Sequence, residues 1–329
     1  MQQADTDEEE DAPERQVEVV PGQQIDADED LLDDYDVDEE EIQCLHSRVR
    51  DIPALRLERF PKLKKLCLRQ NAISRIEGLP TTLTELDLYD NSIGHMDGIA
   101  SLETLEMLDL SFNRIKHIKH LDQLGNTLKL LYLVQNKISR IEHLENLVHL
   151  TMLELGANKI REIEGLQRLK MLEELWLGKN KITSLAGGSL AGLPKLRLLS
   201  IQSNRLTSLE GIEEVAETLE ELYVAQNGLT SLAPLSSLKK LQVLDISSNK
   251  LEHLTDIAHL KELRELWASN NLLTSFEEIE RECKELPVLD TVYFEGNPMQ
   301  RQNPTTYRNK VKLSVGPQIK QIDANILRA

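Results

Sequence analysis

Aromatic residues are scarce in this chain. Two tryptophans, six tyrosines and four phenylalanines are spread over 329 residues, so the places where they gather carry information. Cysteine is scarcer: Cys44, Cys67 and Cys283 are odd in number and far apart. They form neither a disulfide frame nor a zinc pattern, and fit reduced thiols in a cytosolic or nuclear setting. No stretch reaches the roughly 18 apolar residues of a membrane helix. The opening MQQADTDEEE lacks the basic region and apolar run of a secretory signal. The signatures G-x-x-x-x-G-K-[ST], G-x-G-x-x-G and H-E-x-x-H do not occur. The histidines are scattered; His117 and His120 are three apart, but no carboxylate or thiol pattern joins them into a ligand set. These absences predict no metal, no cofactor, no membrane span and no catalytic centre.

Positive charge is in short supply only at one end. The formal net charge is −18, and residues 1–41 account for all of it with 19 acids against Arg15. The rest of the chain is neutral, its 37 acids matched by 37 bases. A neutral body with an acidic tail lacks the basic surface that nucleic acid requires. Residues 1–41, acid-dense with Pro13, Pro21 and Gly22, read as a disordered tail.

What the chain does contain is a repeat. Leu172-Glu-Glu-Leu-Trp-Leu-Gly-Lys-Asn-Lys-Ile182 is one copy of L-x-x-L-x-L-x-x-N-x-[IL], which recurs with changed spacers from about residue 63 to residue 297. Leu175 and Leu177 alternate with Trp176 as a short strand does, two inward and one outward. Asn180 stands where the chain leaves the strand, and its amide suits unpaired backbone groups there. One copy cannot bury its leucines, but stacked copies give a parallel sheet backed by a continuous core. The marker asparagines run from Asn71 through Asn91, Asn113, Asn136, Asn158, Asn180, Asn204, Asn227, Asn249 and Asn271 to Asn297, mostly 20 to 24 residues apart. Coils that short leave room behind each strand for a tight turn or a 3₁₀ segment. The expected fold is therefore α/β: a curved leucine-rich-repeat solenoid with a parallel sheet of about eleven strands on its concave face.

The expected divisions are an N-terminal cap over 42–62, repeats over 63–288, and the last repeat with a C-terminal cap over 289–329. Ile42, Leu45, Val49, Ile52, Leu55 and Leu57 supply the first cap. Tyr307, Val311, Leu313, Ile319 and Ile322 supply the second, shielding an edge that would otherwise aggregate. After Asn271 the spacing admits a real helix, with Ser275 as its N-cap and Glu277 and Glu278 in its first turn.

The residue between the two strand leucines faces outward once per coil. In order these are Cys67, Asp87, Asp109, Tyr132, Glu154, Trp176, Ser200, Tyr223, Asp245, Trp267 and Tyr293. Five of the chain's few aromatics stand in this column, both tryptophans among them. Aromatics interleaved with acids on an exposed face suit a protein-binding surface offered to a basic partner; the alternative is that the rings only pack along the sheet. At ~4.8 Å per rung the column from Asp109 to Tyr293 spans roughly 38 Å, the scale of a protein domain. It divides into two stations, one of Asp109, Tyr132, Glu154 and Trp176, the other of Tyr223, Asp245, Glu265, Trp267 and Tyr293, with Ser200 between them.

Leu66-Cys-Leu-Arg-Gln-Asn71, Glu85-Leu-Asp-Leu-Tyr-Asp-Asn91, Thr291-Val-Tyr-Phe-Glu-Gly-Asn-Pro298, and in the cap Tyr307-Arg-Asn-Lys-Val311 and Gln321-Ile-Asp-Ala324, resemble a known family. It is the leucine-rich-repeat regulatory subunit of type-one protein phosphatase (regulatory subunit 7 family), and the likeness runs from about residue 42 onward. The resemblance implies a non-catalytic subunit of nucleus and cytoplasm whose concave face grips the phosphatase catalytic subunit, with room for a third regulatory protein. Its contact residues fall on Asp109, Tyr132, Glu154, Trp176, Asp245, Glu265, Trp267 and Tyr293; family members often carry Phe where this chain has Tyr132 and Trp176. The chain has no short basic-x-[VI]-x-[FW] docking motif, so binding uses the folded face. The alternative is a leucine-rich adaptor of a splicing or tubulin-folding assembly.

Overall fold

The computed structural model describes residues 31–327; the part of the expected tail before residue 31 lies outside them. Each L-x-x-L-x-L unit contributes a strand of only three residues, such as Glu174–Trp176 or Glu265–Trp267. The middle residue, Leu175 or Leu266, is fully buried. Among the described residues fourteen short strands, those of the caps included, join one curved sheet in strict sequence order. All pairs are parallel except the last, Gln321–Ile322 with Asn325–Ile326. The eleven expected strands are there, and the caps add three more, Glu41–Gln43 in front and that final hairpin behind. Both ends of the core are thus closed by chain that continues the sheet's hydrogen bonding.

The convex side carries 3₁₀ turns such as Asp97–Ile99, Asp122–Leu124 and Ile212–Val215. The one long spacer forms the helix Phe276–Cys283, capped by Ser275, whose hydroxyl accepts the Glu278 N–H at 3.2 Å. That helix packs on Tyr307–Val315 of the C-terminal cap.

The asparagines hold successive coils together. Asn158 donates to Leu133 O at 2.8 Å and Leu155 O at 3.1 Å, and its Oδ1 accepts the Ile138 N–H at 3.0 Å. Asn180 repeats the pattern one coil on, donating to the same Leu155 O at 2.9 Å. Each buried carbonyl therefore sits between two asparagines, and the ladder runs through the core's edge. The residue just before each asparagine adopts left-handed backbone, as in Gln135, Ala157 and Lys179 with φ of 53, 54 and 56°. This turns the chain sharply off the sheet, although a glycine stands there only before Asn297, as Gly296.

Three sequence expectations need correction. The expected tail does not reach as far as residue 41. Leu32 is 1% exposed, the Tyr35 hydroxyl donates to Gln43 O at 3.0 Å, and Asp33 and Glu40 pair with Arg59 and Lys64. Residues 31–41 belong to the N-terminal cap, and deleting them would remove core. Within that cap Leu45 is 46% exposed while Cys44 is buried; alternation from inward Ile42 places residue 44 inside and 45 outside. In the C-terminal cap Leu313 is 78% exposed. The helix buries Tyr307, Val311, Ser314 and Val315 on one face, and residue 313 falls on the other.

Candidate functional site

The sheet's open face presents two outward residues per strand, because a three-residue strand alternates out, in, out. The third-position column contains Asp109, Tyr132, Glu154, Trp176, Tyr223, Asp245, Trp267 and Tyr293, held in register by the parallel pairing. Glu265 lies in the first-position column with Met107, Leu130, Met152, Glu174 and Glu221. The sequence reading took Glu265 from this second column and passed over the rest. Period-two alternation, carried one residue further toward the N-terminus, would have found them.

Four of the five column aromatics make one continuous ladder, which crosses the gap expected at Ser200 between the two stations. The Trp176 and Tyr223 rings lie 6.3 Å apart and nearly parallel, 16° between planes. They meet across the intervening strand because Ser200, 1% exposed, is too small to separate them. Tyr223 meets Trp267 at 6.2 Å and Trp267 meets Tyr293 at 5.8 Å, both edge-to-face. The rings do pack along the sheet, as the alternative reading held, yet all four remain half-exposed. Packing and presentation coexist.

Three of the four polar ring edges are held by a carboxylate two residues earlier on the same strand, while the Tyr293 hydroxyl accepts from Gln321 Nε2. Trp176 Nε1 donates to Glu174 at 3.3 Å, the Tyr223 hydroxyl to Glu221 at 2.8 Å, and Trp267 Nε1 to Glu265 at 3.1 Å. The motif Glu-Leu-[Trp/Tyr] occurs three times for this purpose. Arg197 bridges Glu174 and Glu221 from the edge of the sheet, tying two of the three pairs together. Rings fixed in this way lose little rotamer freedom on binding.

Tyr132 occupies the N-terminal part of the face beside a shallow depression of about 610 Å³, lined among others by Met107, Asp109, Leu130 and Lys129. Asp109 is 9% exposed; one carboxylate oxygen accepts the Ser111 N–H at 2.8 Å, and the other faces Arg69 at 3.5 Å. Asp245 likewise accepts the Ser247 N–H at 2.9 Å. These aspartates brace the turn that leaves the strand, besides giving the face its charge. Burial, reinforced by the charge of Asp109, raises the Glu154 carboxyl above its ordinary range. Burial raises Asp245 as well, against the opposing Ser247 N–H. Burial and the bond to Glu221 push the Tyr223 hydroxyl up. Tyr89 and Phe112 pack against each other with ring centres 4.7 Å apart, and Arg69 lies over the Tyr89 ring at 4.5 Å. Phe112 sits at a left-handed loop position beyond the column.

Family profiles described as leucine-rich repeats match residues 61–157, 162–206 and 217–262. Among solved structures, an internalin (InlF) of Listeria monocytogenes superposes with a TM-score of 0.67 at 22% identity, covering 88% of this chain and 87% of that one. A leucine-rich-repeat protein of Leptospira interrogans gives 0.61 at 27% identity, covering 80% and 73%. These share the architecture. Much nearer in sequence is the protein phosphatase 1 regulatory subunit SDS22 of Schizosaccharomyces pombe, 52% identical over 305 residues, 93% of this chain and 91% of the relative. The SDS22 subunit of Saccharomyces cerevisiae is 43% identical over 309 residues, 92% of this chain and 91% of the relative. Likeness of that degree over nearly the whole length of both relatives extends through loops and caps, well beyond the repeat skeleton, and the chain belongs to the SDS22 family of leucine-rich-repeat regulatory subunits of protein phosphatase 1.

Proposed function

We infer that this chain is a non-catalytic regulatory subunit that binds the catalytic subunit of type-one protein serine/threonine phosphatase on its concave sheet. The observation that carries the reading is the ladder Trp176–Tyr223–Trp267–Tyr293. Four rings in successive contact lie on an open sheet face, three of them with their polar edges satisfied by the protein's own carboxylates and Tyr293 with its hydroxyl bonded to Gln321. Their free faces then offer apolar area and cation–π acceptance to a partner. Asp109, Glu154 and Asp245 add negative potential around that strip, which steers and registers basic residues of the partner. Nothing in this arrangement encloses a small substrate, and a regulator needs only to grip.

The test is capture from native lysate with the purified full chain, followed by mass spectrometry. The phosphatase catalytic subunit is the expected principal protein. Recovery of a splicing or tubulin-folding assembly without the phosphatase would favour the adaptor reading and overturn this one.

A further inference from the structure

The edge where the chain leaves the sheet carries a second, oppositely charged surface. The residue after each marker asparagine is Arg114, Lys137, Lys159, Lys181 and Arg205 on five successive coils. Their backbones form a ladder: Lys137 N donates to Ile115 O, Lys159 N to Ile138 O, Lys181 N to Ile160 O and Arg205 N to Ile182 O. The five side chains are therefore stacked in register, ~4.8 Å per coil and roughly 19 Å in all. Four are exposed and Lys181 is half-buried. The five-residue loops that hold them (112–116, 135–139, 157–161, 179–183 and 203–207) carry three further cations and no acid.

Ion pairing separates this edge from the opposite one. Where the chain enters the sheet, Lys64 pairs with Glu40 at 2.9 Å, Lys129 with Glu106 at 2.7 Å, and Arg197 with Glu174 and Glu221. Among the described residues, none of the five stripe cations has an ion-pair partner. In a folded body whose described residues 31–327 hold 44 acids against 36 bases, a segregated stripe of unpaired cations is a site for a linear polyanion.

We propose that this stripe is occupied by the chain's own acidic N-terminal segment, centred on Asp7-Glu-Glu-Glu-Asp11. Residues 1–30 hold 12 acids and a single base, opposite to the stripe in sign and alike in linear form. The reach suffices. Twenty residues separate Asp11 from Leu31, an extended span of roughly 66 Å. The seven rungs from the first strand to the coil of Arg205 cover only roughly 34 Å. Tethering raises the effective concentration to about the millimolar range, and the acids of the concave face repel the segment from the phosphatase-binding strip. The stripe thus holds the tail aside and leaves the ladder open.

The test is zero-length carbodiimide crosslinking of the full chain at low concentration and low salt, with the linked peptides identified by mass spectrometry. Carboxylates of residues 5–18 should join Lys137, Lys159 and Lys181 within one molecule. Raising salt to about 0.5 M, where screening acts within a few ångströms, should abolish those links. Arg114→Glu with Arg205→Glu leaves the three lysines available and should cut the yield severalfold. Tail links scattered over exposed lysines elsewhere, such as Lys239, Lys261 and Lys312, would overturn the proposal. So would hybrids of labelled and unlabelled chains, which would place another copy's tail on the stripe.

Discussion

Asn158 is where the cohesion between coils can be measured. Replacing it with alanine removes four hydrogen bonds, the fourth to Gly156 O at 3.2 Å, but the losses are unequal. Leu133 O keeps the amide of Asn136 at 3.2 Å, and Leu155 O keeps that of Asn180 at 2.9 Å. The Ile138 N–H, which donates to Asn158 Oδ1, has no such substitute. One stripped buried N–H costs about 1–3 kcal/mol and each weakened carbonyl about 0.5 kcal/mol, so Asn158→Ala should lose about 3 kcal/mol. At roughly 2–4 °C per kcal/mol that lowers the melting midpoint by about 6–12 °C. The neighbouring exposed Lys159→Ala should stay within about 0.5 kcal/mol. Thermal melts by circular dichroism, with hydrogen exchange at Ile138, decide the matter. If Asn158→Ala melts with Lys159→Ala, the ladder is not what joins the coils.

Ala157 is left-handed with φ +54°, so Ala157→Gly relieves strain of about 1 kcal/mol at a smaller entropic cost. The midpoint in the same melts should rise slightly, not fall. Asp323, 1% exposed, accepts the Phe294 N–H at 2.9 Å, the Glu295 N–H at 3.1 Å and the Tyr307 hydroxyl at 3.2 Å. Asp323→Ala should cost about 3 kcal/mol or more, with exchange protection lost first at Phe294. Because the Glu154 carboxyl is raised by burial and by Asp109, the folded state favours its protonated form. Its stabilising contribution is complete below the unfolded value, about pH 4, and is lost as pH rises through the folded value. Glu154→Gln should therefore raise the melting midpoint at neutral pH, show no gain below about pH 4, and weaken binding to the catalytic subunit.

The leucine skeleton, the asparagines, the helix cap at Ser275 and the aromatic column were legible because each rests on local spacing. The left-handed residue before each asparagine was not. Gln135, Ala157 and Lys179 share no chemistry, and the sheet's geometry imposes the turn on whatever side chain stands there. The N-terminal cap misled because a degenerate coil keeps apolar residues on both faces: Leu45 looks like core, and Cys44 is core. Leu32 lies within an acid-rich run whose composition outweighs one buried side chain. The contact of Trp176 with Tyr223 across Ser200 depends on what a small residue lets its neighbours do, which a column of letters does not display. Two of the three glutamates behind the rings, Glu174 and Glu221, were missed for a simpler reason. Outward acids on a strand look like solvated surface until the bond to Trp Nε1 is seen.

The central claim is that the phosphatase catalytic subunit grips the aromatic ladder of the concave sheet. It is tested most directly by the affinity of purified catalytic subunit for Trp176→Ala and Trp267→Ala, measured beside wild type by calorimetry or surface plasmon resonance. Truncating an anchor tryptophan typically costs ~2 kcal/mol or more, roughly thirtyfold in affinity. Neither ring supports the leucine core, so both variants should melt near wild type. Because both rings touch Tyr223, the double variant is not expected to lose the sum of the two effects. Thirtyfold weaker binding by well-folded single variants is the result the account predicts; two variants that bind as wild type does would contradict it.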